Sequence, residues 1–376
     1  MRVYLDNAAT TPLDKEVIQE MVGVMEQHYG NPSSIHAHGR EARTLIEKAR
    51  KTIAGLLHAS PAEFFFTSGG TEADNMAIRC VISDYHITHA ITSKIEHHAV
   101  LHTLQALEAS GIIKLSYVEL DSKGNLILSH LEELLNANER SLVSLMHANN
   151  EIGNITDIQQ VGNICEKYKA IFHCDTVQTI GYYPLDLSKL KVHLLACSAH
   201  KIYGPKGVGF LYINHAVKIK PFIYGGAQER NMRGGTENLY GIVGLAKALE
   251  LAYQDMDKNR LHLTDLKNYM VGELVKYIAG IEFNGETDLE KSLPKVLNVS
   301  FPETDLAEML LFNLDIAGIS VSGGSACSSG TNIGSHVLAG IGASETRPSV
   351  RFSFGKFNTM EEIDFVIEKL KQIFSD

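Results

Sequence analysis

The chain contains Leu194-Leu195-Ala196-Cys197-Ser198-Ala199-His200-Lys201, an apolar strand-like run that passes directly into a hydroxyl, an imidazole and an amine. A second run, Ile171–Cys174, ends in Asp175. From about residue 63 to residue 213, short apolar runs alternate with longer stretches, several of which have helical spacing of apolar residues. This alternation predicts an α/β fold in which a mostly parallel sheet is covered by helices on both faces.

Polar side chains gather at the ends of the predicted strands. Seven strands are predicted: Phe64–Thr67, Ala90–Thr92, Leu115–Val118, Leu142–Met146, Ile171–Cys174, Leu194–Cys197 and Val208–Ile213. Ligands of such sheets bind outside the carboxyl ends of the strands. We therefore expect Thr67, residues 146–150, Asp175 and residues 198–201 to meet at one edge of the sheet.

These strand-end residues have the chemistry needed to hold pyridoxal phosphate. Lys201 would form a Schiff base with the cofactor, and Asp175 would keep the pyridine nitrogen protonated. Ser198 and His200 could hold the phosphate. A lysine after a buried strand is by itself usually a surface residue, so the prediction depends on its neighbours.

Two glycine-rich segments open predicted helices. Thr67-Ser68-Gly69-Gly70-Thr71 follows a strand, and its glycines would let backbone amides approach a phosphate at a helix N-terminus. Thr71 could also serve as the N-cap, and an ordinary capped turn is the alternative. The segment from Gly225 to Asn238 could bind another phosphate oxygen, lie at a subunit contact or serve as a flexible linker.

Three further residues are candidates for the cofactor or substrate site, and each could instead have a purely structural role. His97 begins a predicted helix and could stack on the cofactor ring and move protons, or be a solvated histidine. Asn150 follows a strand and could bond the ring hydroxyl or a substrate carboxylate, or build a turn. Arg351 could grip a carboxylate, or be a strand residue paired at the surface.

The length of 376 residues suits one large domain and a smaller one. After about residue 259 the rhythm changes to helix, strand, helix, loop, strand and helix. We predict a large domain over residues 14–256 and a smaller α+β domain made of residues 1–13 and 257–376.

Composition excludes several classes of protein. The 34 basic and 44 acidic side chains give a net charge of −10, which argues against a nucleic-acid or anionic-membrane surface. We find no signal peptide and no run long enough to cross a bilayer. Five cysteines without a C-x-x-C pair indicate reduced thiols in a cytoplasm and no intrinsic metal site.

The cysteines fall into two groups. Four lie in apolar runs and are predicted to be buried: Cys80, Cys165, Cys174 and Cys197. Cys327 instead lies in a polar segment rich in glycine and serine, residues 322–330. A thiol there is predicted to be on an exposed, mobile loop.

Taken together, these segments resemble the NifS/IscS-type cysteine desulfurases, class-V aminotransferase-like enzymes of pyridoxal-phosphate fold type I. The likeness runs from residues 4–12 to residues 351–355. It is carried by the segments 67–75, 146–153, 175–181, 200–207 and 325–329.

The resemblance implies a role for each matching residue. Lys201 and Asp175 keep the roles given above, Gln178 would bond the ring hydroxyl beside Asn150, and His97 would stack on the ring. The implied phosphate contacts are Gly70, Thr71, Ser198 and His200, with Thr236 reaching in from the second subunit of a homodimer. Arg351 would hold the carboxylate of L-cysteine.

The resemblance also implies the reaction. Sulfur would leave L-cysteine as a persulfide on Cys327, L-alanine would be released, and an acceptor protein would take the sulfur for iron–sulfur cluster assembly or thiolation. Cys327 could transiently be an iron–sulfur ligand. The alternatives are a selenocysteine lyase, a relative that acts on cysteine sulfinate, another amino-acid lyase or aminotransferase, or a partner-binding subunit without catalysis.

Overall fold

The computed structural model describes residues 1–303, 309–323 and 334–374. Its helices are α1 Lys15–Gln27, α2 Ala37–Leu56, α3 Gly70–Asp84, α4 His98–Ala109, α5 Leu128–Asn136, α6 Ile158–Lys167, α7 Leu239–Gln254, α8 Met256–Tyr277, α9 Leu310–Ile316, α10 His336–Gly340 and α11 Met360–Phe374. Its strands are β1 Val3–Tyr4, β2 Phe64–Thr67, β3 His89–Thr92, β4 Lys114–Tyr117, β5 Ser141–Ser144, β6 Ile171–Asp175, β7 Leu194–Ser198, β8 Gly209–Ile213, β9 Glu282–Asn284, β10 Val296–Ser300, β11 Ile319–Ser320 and β12 Ser349–Ser353.

All seven predicted strands form one sheet, in the order β2-β8-β7-β6-β5-β3-β4. The neighbours from β7 to β4 are parallel, whereas β8 runs antiparallel to both β7 and β2. The prediction of a mostly parallel seven-stranded sheet is confirmed.

The core lies on both faces of this sheet, as β7 illustrates. Leu194 and Ala196 pack in one buried apolar cluster with α3 and α4, whereas Leu195 and Cys197 pack in the other, larger cluster. Successive side chains of a strand point to opposite faces. A continuous apolar run is therefore what a strand covered on both faces requires.

Strand β5 ends earlier than the sequence predicts. We predicted a strand to Met146, but the regular strand stops at Ser144. The Met146 N–H donates to the Glu96 carboxylate at 3.0 Å instead of pairing with a neighbouring strand. Leu145 and His147 still donate to the carbonyl groups of His173 and Asp175, and Met146 lines the cavity described below.

Two smaller sheets contain the remaining strands. Strand β10 pairs antiparallel with β12 and β9, and β1 pairs parallel with β11. The N-terminal strand thus joins the C-terminal part of the chain. The boundaries at residues 14 and 256 stay a prediction. Within the described ranges, no helix is long and apolar enough to cross a membrane.

Candidate active site

A cavity of about 220 Å³ lies at the carboxyl ends of the central strands, where the sequence predicts the site. Ten of the predicted residues line it: Gly70, Thr71, His97, Asn150, Asp175, Gln178, Ser198, His200, Lys201 and Arg351. Convergence at one sheet edge follows from the parallel strands, because their carboxyl ends all face the same side.

Lys201 reaches this cavity from a short turn, Ala199–Lys201, that follows β7 directly. Its Nζ donates to the carbonyl oxygens of Ala8 at 2.6 Å and Ala9 at 2.7 Å. The N-terminal segment therefore positions the amine inside the cavity.

Asp175 ends β6, and its carboxylate is almost buried, with 7% of the residue exposed. Burial raises the pKa of Asp175 to about 6, although the N–H of Val177 and the positive charge of Lys201 oppose this rise. The Val177 N–H donates to Oδ1 at 2.9 Å. The carboxylate is thus mainly ionised at neutral pH and can pair with a cationic ring nitrogen.

His97 is the N-cap of α4 and not a solvated residue. Its Nδ1 accepts the Ala99 N–H at 3.1 Å, so the ring proton of the neutral imidazole resides on Nε2. Burial, followed by the positive charge of Lys201 and nearby histidines, lowers the pKa of His97 to about 4. A neutral imidazole suits stacking on an aromatic ring.

The glycine-rich turn before α3 forms one wall of the cavity. The helix begins at Gly70, and its N-cap is Gly69 with φ of 151°, so the interpretation of Thr71 as the N-cap is wrong. A positive φ of this kind favours glycine, so the backbone can adopt this conformation at Gly69, directly before the helix. Thr71 already belongs to the first helical turn, where backbone N–H groups lack intrahelical partners.

Ser198, at the end of β7, faces this helix start, and His200 lines the same cavity from the turn that follows. Ser198 is 4% exposed, and its Oγ would lie 3.5 Å from a Cβ added at Gly69. His200 Nδ1 lies 3.1 Å from Thr10 Oγ1. A hydroxyl group and a helix N-terminus thus meet at the cavity wall, which suits an anionic group such as a phosphate, and His200 lines the same cavity.

Gln178 and Asn150 are held differently. Gln178 is buried, and its Nε2 donates to the Ala8 carbonyl at 3.0 Å. Its Oε1 has no hydrogen-bond partner among the described residues, so it can accept from a bound hydroxyl group. Asn150 is half-buried, and its backbone carbonyl accepts from Arg351 at 3.1 Å.

Arg351 is buried, not surface-paired as the alternative expected, with 1% of the residue exposed. One guanidinium nitrogen donates to Asp6 at 2.8 Å, and Nε has no hydrogen-bond partner among the described residues. Arg351 lies on β12, whereas Asp6 follows β1. A substrate carboxylate would therefore share this arginine with Asp6.

Comparisons with known proteins agree with this geometry. The model of the aminotransferase class-V family matches residues 3–366. The chain belongs to this family. It is 46% identical to the cysteine desulfurase IscS of Dictyoglomus turgidum, covering 99% of this chain and 94% of that protein. It is 43% identical to a putative cysteine desulfurase IscS 1 of Bacillus subtilis, covering 96% of each.

Solved structures give the same result. A NifS-like protein superposes with a TM-score of 0.91 at 40% identity, covering all of both chains. The cysteine desulfurase of Thermococcus onnurineus superposes with a TM-score of 0.89 at 25% identity, covering all of this chain and 95% of the other. The predicted resemblance to NifS/IscS-type enzymes and the predicted fold type I are confirmed.

The class-V family uses pyridoxal phosphate, and the residues of the cavity fit that cofactor. The unpaired Gln178 oxygen fits a ring hydroxyl, and the ionised Asp175 fits a protonated ring nitrogen. A Cβ at Gly70 would lie 2.8 Å from a methyl carbon of Val177, so the wall leaves no room for a larger residue there.

Two acidic residues of this class-V site were not predicted from the sequence. Asp6 pairs with Arg351, and Asp74 lines the cavity from α3. Asp74 lies three residues after Thr71, so helical spacing places both on neighbouring turns of one face, a signal that could have identified it. Asp6 gave no such signal, because its partner is 345 residues away.

One predicted residue that the structure describes, Thr236, is not among the residues that line the cavity of this class-V chain. Thr236 is exposed on the loop before α7, three residues after Arg233, which pairs with Glu72 of α3 at 2.9 Å. This ion pair ties the glycine-rich segment to the site, against the alternative of a flexible linker. Cys327 lies outside the described residues.

Proposed function

We propose that this protein is a pyridoxal-phosphate-dependent cysteine desulfurase that transfers sulfur from L-cysteine to Cys327 and releases L-alanine. One observation carries the proposal: Lys201, Asp175 and Arg351 line a single cavity. Together they provide an amine, an ionised carboxylate and a carboxylate-binding guanidinium. Near-full-length identity of 43–46% to proteins named cysteine desulfurase IscS supports the same conclusion.

Lys201 would hold the cofactor covalently, and its amine would take the substrate α-proton. Its Nζ lies on the cavity wall between two carbonyl oxygens, which orient the amine. The bound cofactor supplies an electron sink that makes this proton acidic. Asp175 maintains that sink by keeping the ring nitrogen protonated, since an ionised carboxylate favours a cation beside it.

Arg351 and Asn150 position the substrate. The guanidinium is buried and rigidly held by Asp6 and the Asn150 carbonyl. A fork of N–H donors binds a carboxylate in a fixed orientation. Arg351 and Lys201 line the same cavity, so a cysteine whose carboxylate is bound by Arg351 would share that cavity with the Lys201 amine. His97, neutral and fixed as an N-cap, would stack on the cofactor ring and can exchange a proton through Nε2.

Cys327 takes the sulfur as a thiolate. Its sulfur attacks the sulfur of the substrate, a new S–S bond forms as the C–S bond breaks, and the carbon retains the electron pair and takes a proton. The other cysteines are poor candidates. Burial raises the pKa of Cys80 and Cys165 to about 12, and those of the buried Cys174 and Cys197 are raised as well.

The functional unit is a homodimer in which Thr236 completes the phosphate site of the second subunit. Two observations support this proposal. Thr236 is exposed and outside the cavity of its own chain, although the loop that carries it is anchored beside the site. In addition, one face of α1 exposes apolar side chains at helical spacing: Ile18, Val22 and Met25.

An acceptor protein then takes the persulfide sulfur, either a scaffold for iron–sulfur clusters or a thiolation carrier. The IscS names of the relatives favour the scaffold. A transient role of Cys327 as an iron–sulfur ligand and the cytoplasmic location stay predictions.

The test measures alanine and persulfide from L-cysteine. Lys201→Ala should lose the borohydride-reducible cofactor linkage and all turnover, whereas Lys206→Ala, an exposed lysine of the same segment, should retain both. Full activity of Lys201→Ala would end the proposal. Selenocysteine offered in parallel decides between a desulfurase and a selenocysteine lyase.

A second experiment identifies the residue that receives the sulfur of L-cysteine. With sulfur-35 cysteine, the label should remain on the peptide that contains Cys327, and Cys327→Ala should bind substrate but release no alanine. Label found mainly on the peptides of Cys80, Cys165, Cys174 or Cys197 would instead indicate a simple lyase.

A further inference from the structure

Asp74 is a buried carboxyl group inside the cavity to which no role has been given. It extends from α3, 1% of the residue is exposed, and it lines the cavity. One of its oxygens, a nitrogen of His97 and an oxygen of Asp175 all lie within 4.8 Å of one another. The site therefore contains two carboxyl groups close together. One protonated ring nitrogen of the cofactor would need only one of them to be ionised.

His173 of β6 lies beside Asp74. Its Nε2 is 3.4 Å from Asp74 Oδ1, and its Nδ1 is 2.8 Å from Ser144 Oγ. Among the described residues, neither Asp74 Oδ1 nor His173 Nε2 has a hydrogen-bond partner that meets standard geometry. Buried polar atoms of native proteins are nearly always paired. A single proton held between these two atoms would satisfy both.

Burial first, and like charges second, explain why Asp74 and not His173 carries that proton. Burial, followed by the charges of Asp175 and Glu96, raises the pKa of Asp74 well above its usual value. The Glu96 carboxyl is also buried, and its pKa is raised to about 8, mainly by burial. The pKa of His173 is lowered to about 3 by burial, so its imidazole stays neutral.

Asp175 differs from the other carboxyl groups in the groups that face it. The Val177 N–H donates to it, and Lys201 contributes a positive charge. The charged groups that act on Asp74 are instead the carboxyl groups of Asp175 and Glu96, which oppose its ionisation. Ionisation of Asp175 with Asp74 protonated is therefore the arrangement of lowest electrostatic cost.

We infer that Asp74 is a positioning residue: its carboxyl group keeps its proton, shares it with His173, and thereby leaves Asp175 as the carboxylate for the cofactor nitrogen. The role of Asp175 toward the cofactor nitrogen rests on the proposed function. The protonation of Asp74 itself does not depend on the cofactor.

The first experiment therefore uses the full-length protein with the cofactor removed and compares it with Asp74→Asn. An acid whose pKa is raised on folding reduces stability as the pH rises above the pKa of the unfolded chain. The neutral amide avoids this cost. Asp74→Asn should therefore unfold at a higher temperature than the parent at about pH 8, and the difference should vanish at about pH 4.

Glu72 of the same helix provides the matched control. Against the cost of burial, hydrogen bonds from Arg233 and Ser68 lower the pKa of Glu72. Glu72→Gln should therefore lower the unfolding temperature at about pH 8, the opposite sign. If Asp74→Asn is also less stable than the parent at that pH, Asp74 is an ionised, paired group and the inference is wrong.

The second experiment measures the protonation state of the ring nitrogen of the bound cofactor by nitrogen-15 NMR. The nitrogen should stay protonated in Asp74→Asn and lose its proton in Asp175→Asn. Asp74→Ala, which cannot bond His173, should release the cofactor about ten-fold faster, and Asp74→Asn should restore retention. Loss of the ring proton in Asp74→Asn, with retention in Asp175→Asn, would assign the two carboxyl groups in reverse.

The two experiments separate the inference from the proposed function. If the protein binds no pyridoxal phosphate, the proposed function fails, while the unfolding comparison still decides the state of Asp74. If Lys201→Ala abolishes the cofactor linkage but Asp74→Asn destabilises the protein, the proposed function stands and the inference fails.

Discussion

The exchange Asp175→Asn tests the charge of a single buried group at nearly constant shape. The variant should still bind the cofactor but turn over about 100- to 10,000-fold more slowly, because removing one partner of a buried ion pair costs about 3–5 kcal/mol. Turnover of L-cysteine and the visible absorbance of the cofactor provide the measurements. Asp186→Asn, far from the cavity in a surface pair with Lys189, is the control. Activity within a few-fold of the parent would contradict the role of Asp175.

The buried carboxyl group of Glu96 should make the stability of the fold depend on pH. Because burial raises its pKa from 4.5 to about 8, folding stability is lost progressively as the pH rises between those values. Glu96→Gln should remove this loss and raise the free energy of unfolding at about pH 9 by on the order of a few kcal/mol. At about pH 4 the variant and the parent should be alike.

Denaturant unfolding at both pH values measures this difference. Glu96 Oε1 accepts from the Met146 N–H and from Ser93, and a glutamine oxygen can keep both bonds. Destabilisation of Glu96→Gln at both pH values would mean that the glutamate is ionised in the folded protein.

At the scale of elements, the start of α3 depends on glycine for space. A Cβ at Gly70 would lie 2.8 Å from Val177 Cγ2, so Gly70→Ala must displace Val177, which follows Asp175 by two residues. We expect a loss of about 1–3 kcal/mol in stability from overpacking, together with weaker cofactor binding. Thermal unfolding and cofactor titration measure the two effects.

Gly272→Ala is the control for that substitution, because a Cβ there meets no atom within 4 Å in helix α8. It should stabilise the protein by about 0.5–1 kcal/mol, the general preference of a helix interior for alanine over glycine. If Gly70→Ala binds the cofactor as tightly as the parent, the helix start does not form the wall of its site.

At the scale of the whole molecule, the dimer proposal predicts complementation. Lys201→Ala and Thr236→Tyr should each be inactive alone. After subunit exchange, each heterodimer should regain one complete site, since Lys201 comes from one chain and Thr236 from the other. Up to about a quarter of parental activity is expected, given random mixing of two chains with one of two sites restored.

The control mixes Lys201→Ala with Asp175→Asn. Both residues line the cavity of the same chain, so each heterodimer contains two defective sites and no recovery is expected. Recovery in the control, or none in the test mixture after proven exchange, would show that Thr236 does not act across a subunit contact.

Local sequence patterns were sufficient for much of the fold and of the site. Apolar runs of four or five residues encode the sheet, because a strand covered on both faces needs apolar side chains on both sides. Once the strands are parallel, their carboxyl ends share one edge, so Lys201 and Asp175 must meet there. The burial of the four cysteines in apolar runs follows from the same patterns and is confirmed.

Contacts between distant segments were decided by tertiary packing alone. Asp6 and Arg351 meet because β1 and β12 belong to adjoining sheets, and no spacing rule links residues that far apart. The protonation of Asp74 and Glu96 likewise has no local signal, since pKa values depend on burial and on charges brought near by folding. The spacing of apolar residues along a segment predicts which of its side chains are buried. The charge state of the site depends instead on which distant segments the fold brings together.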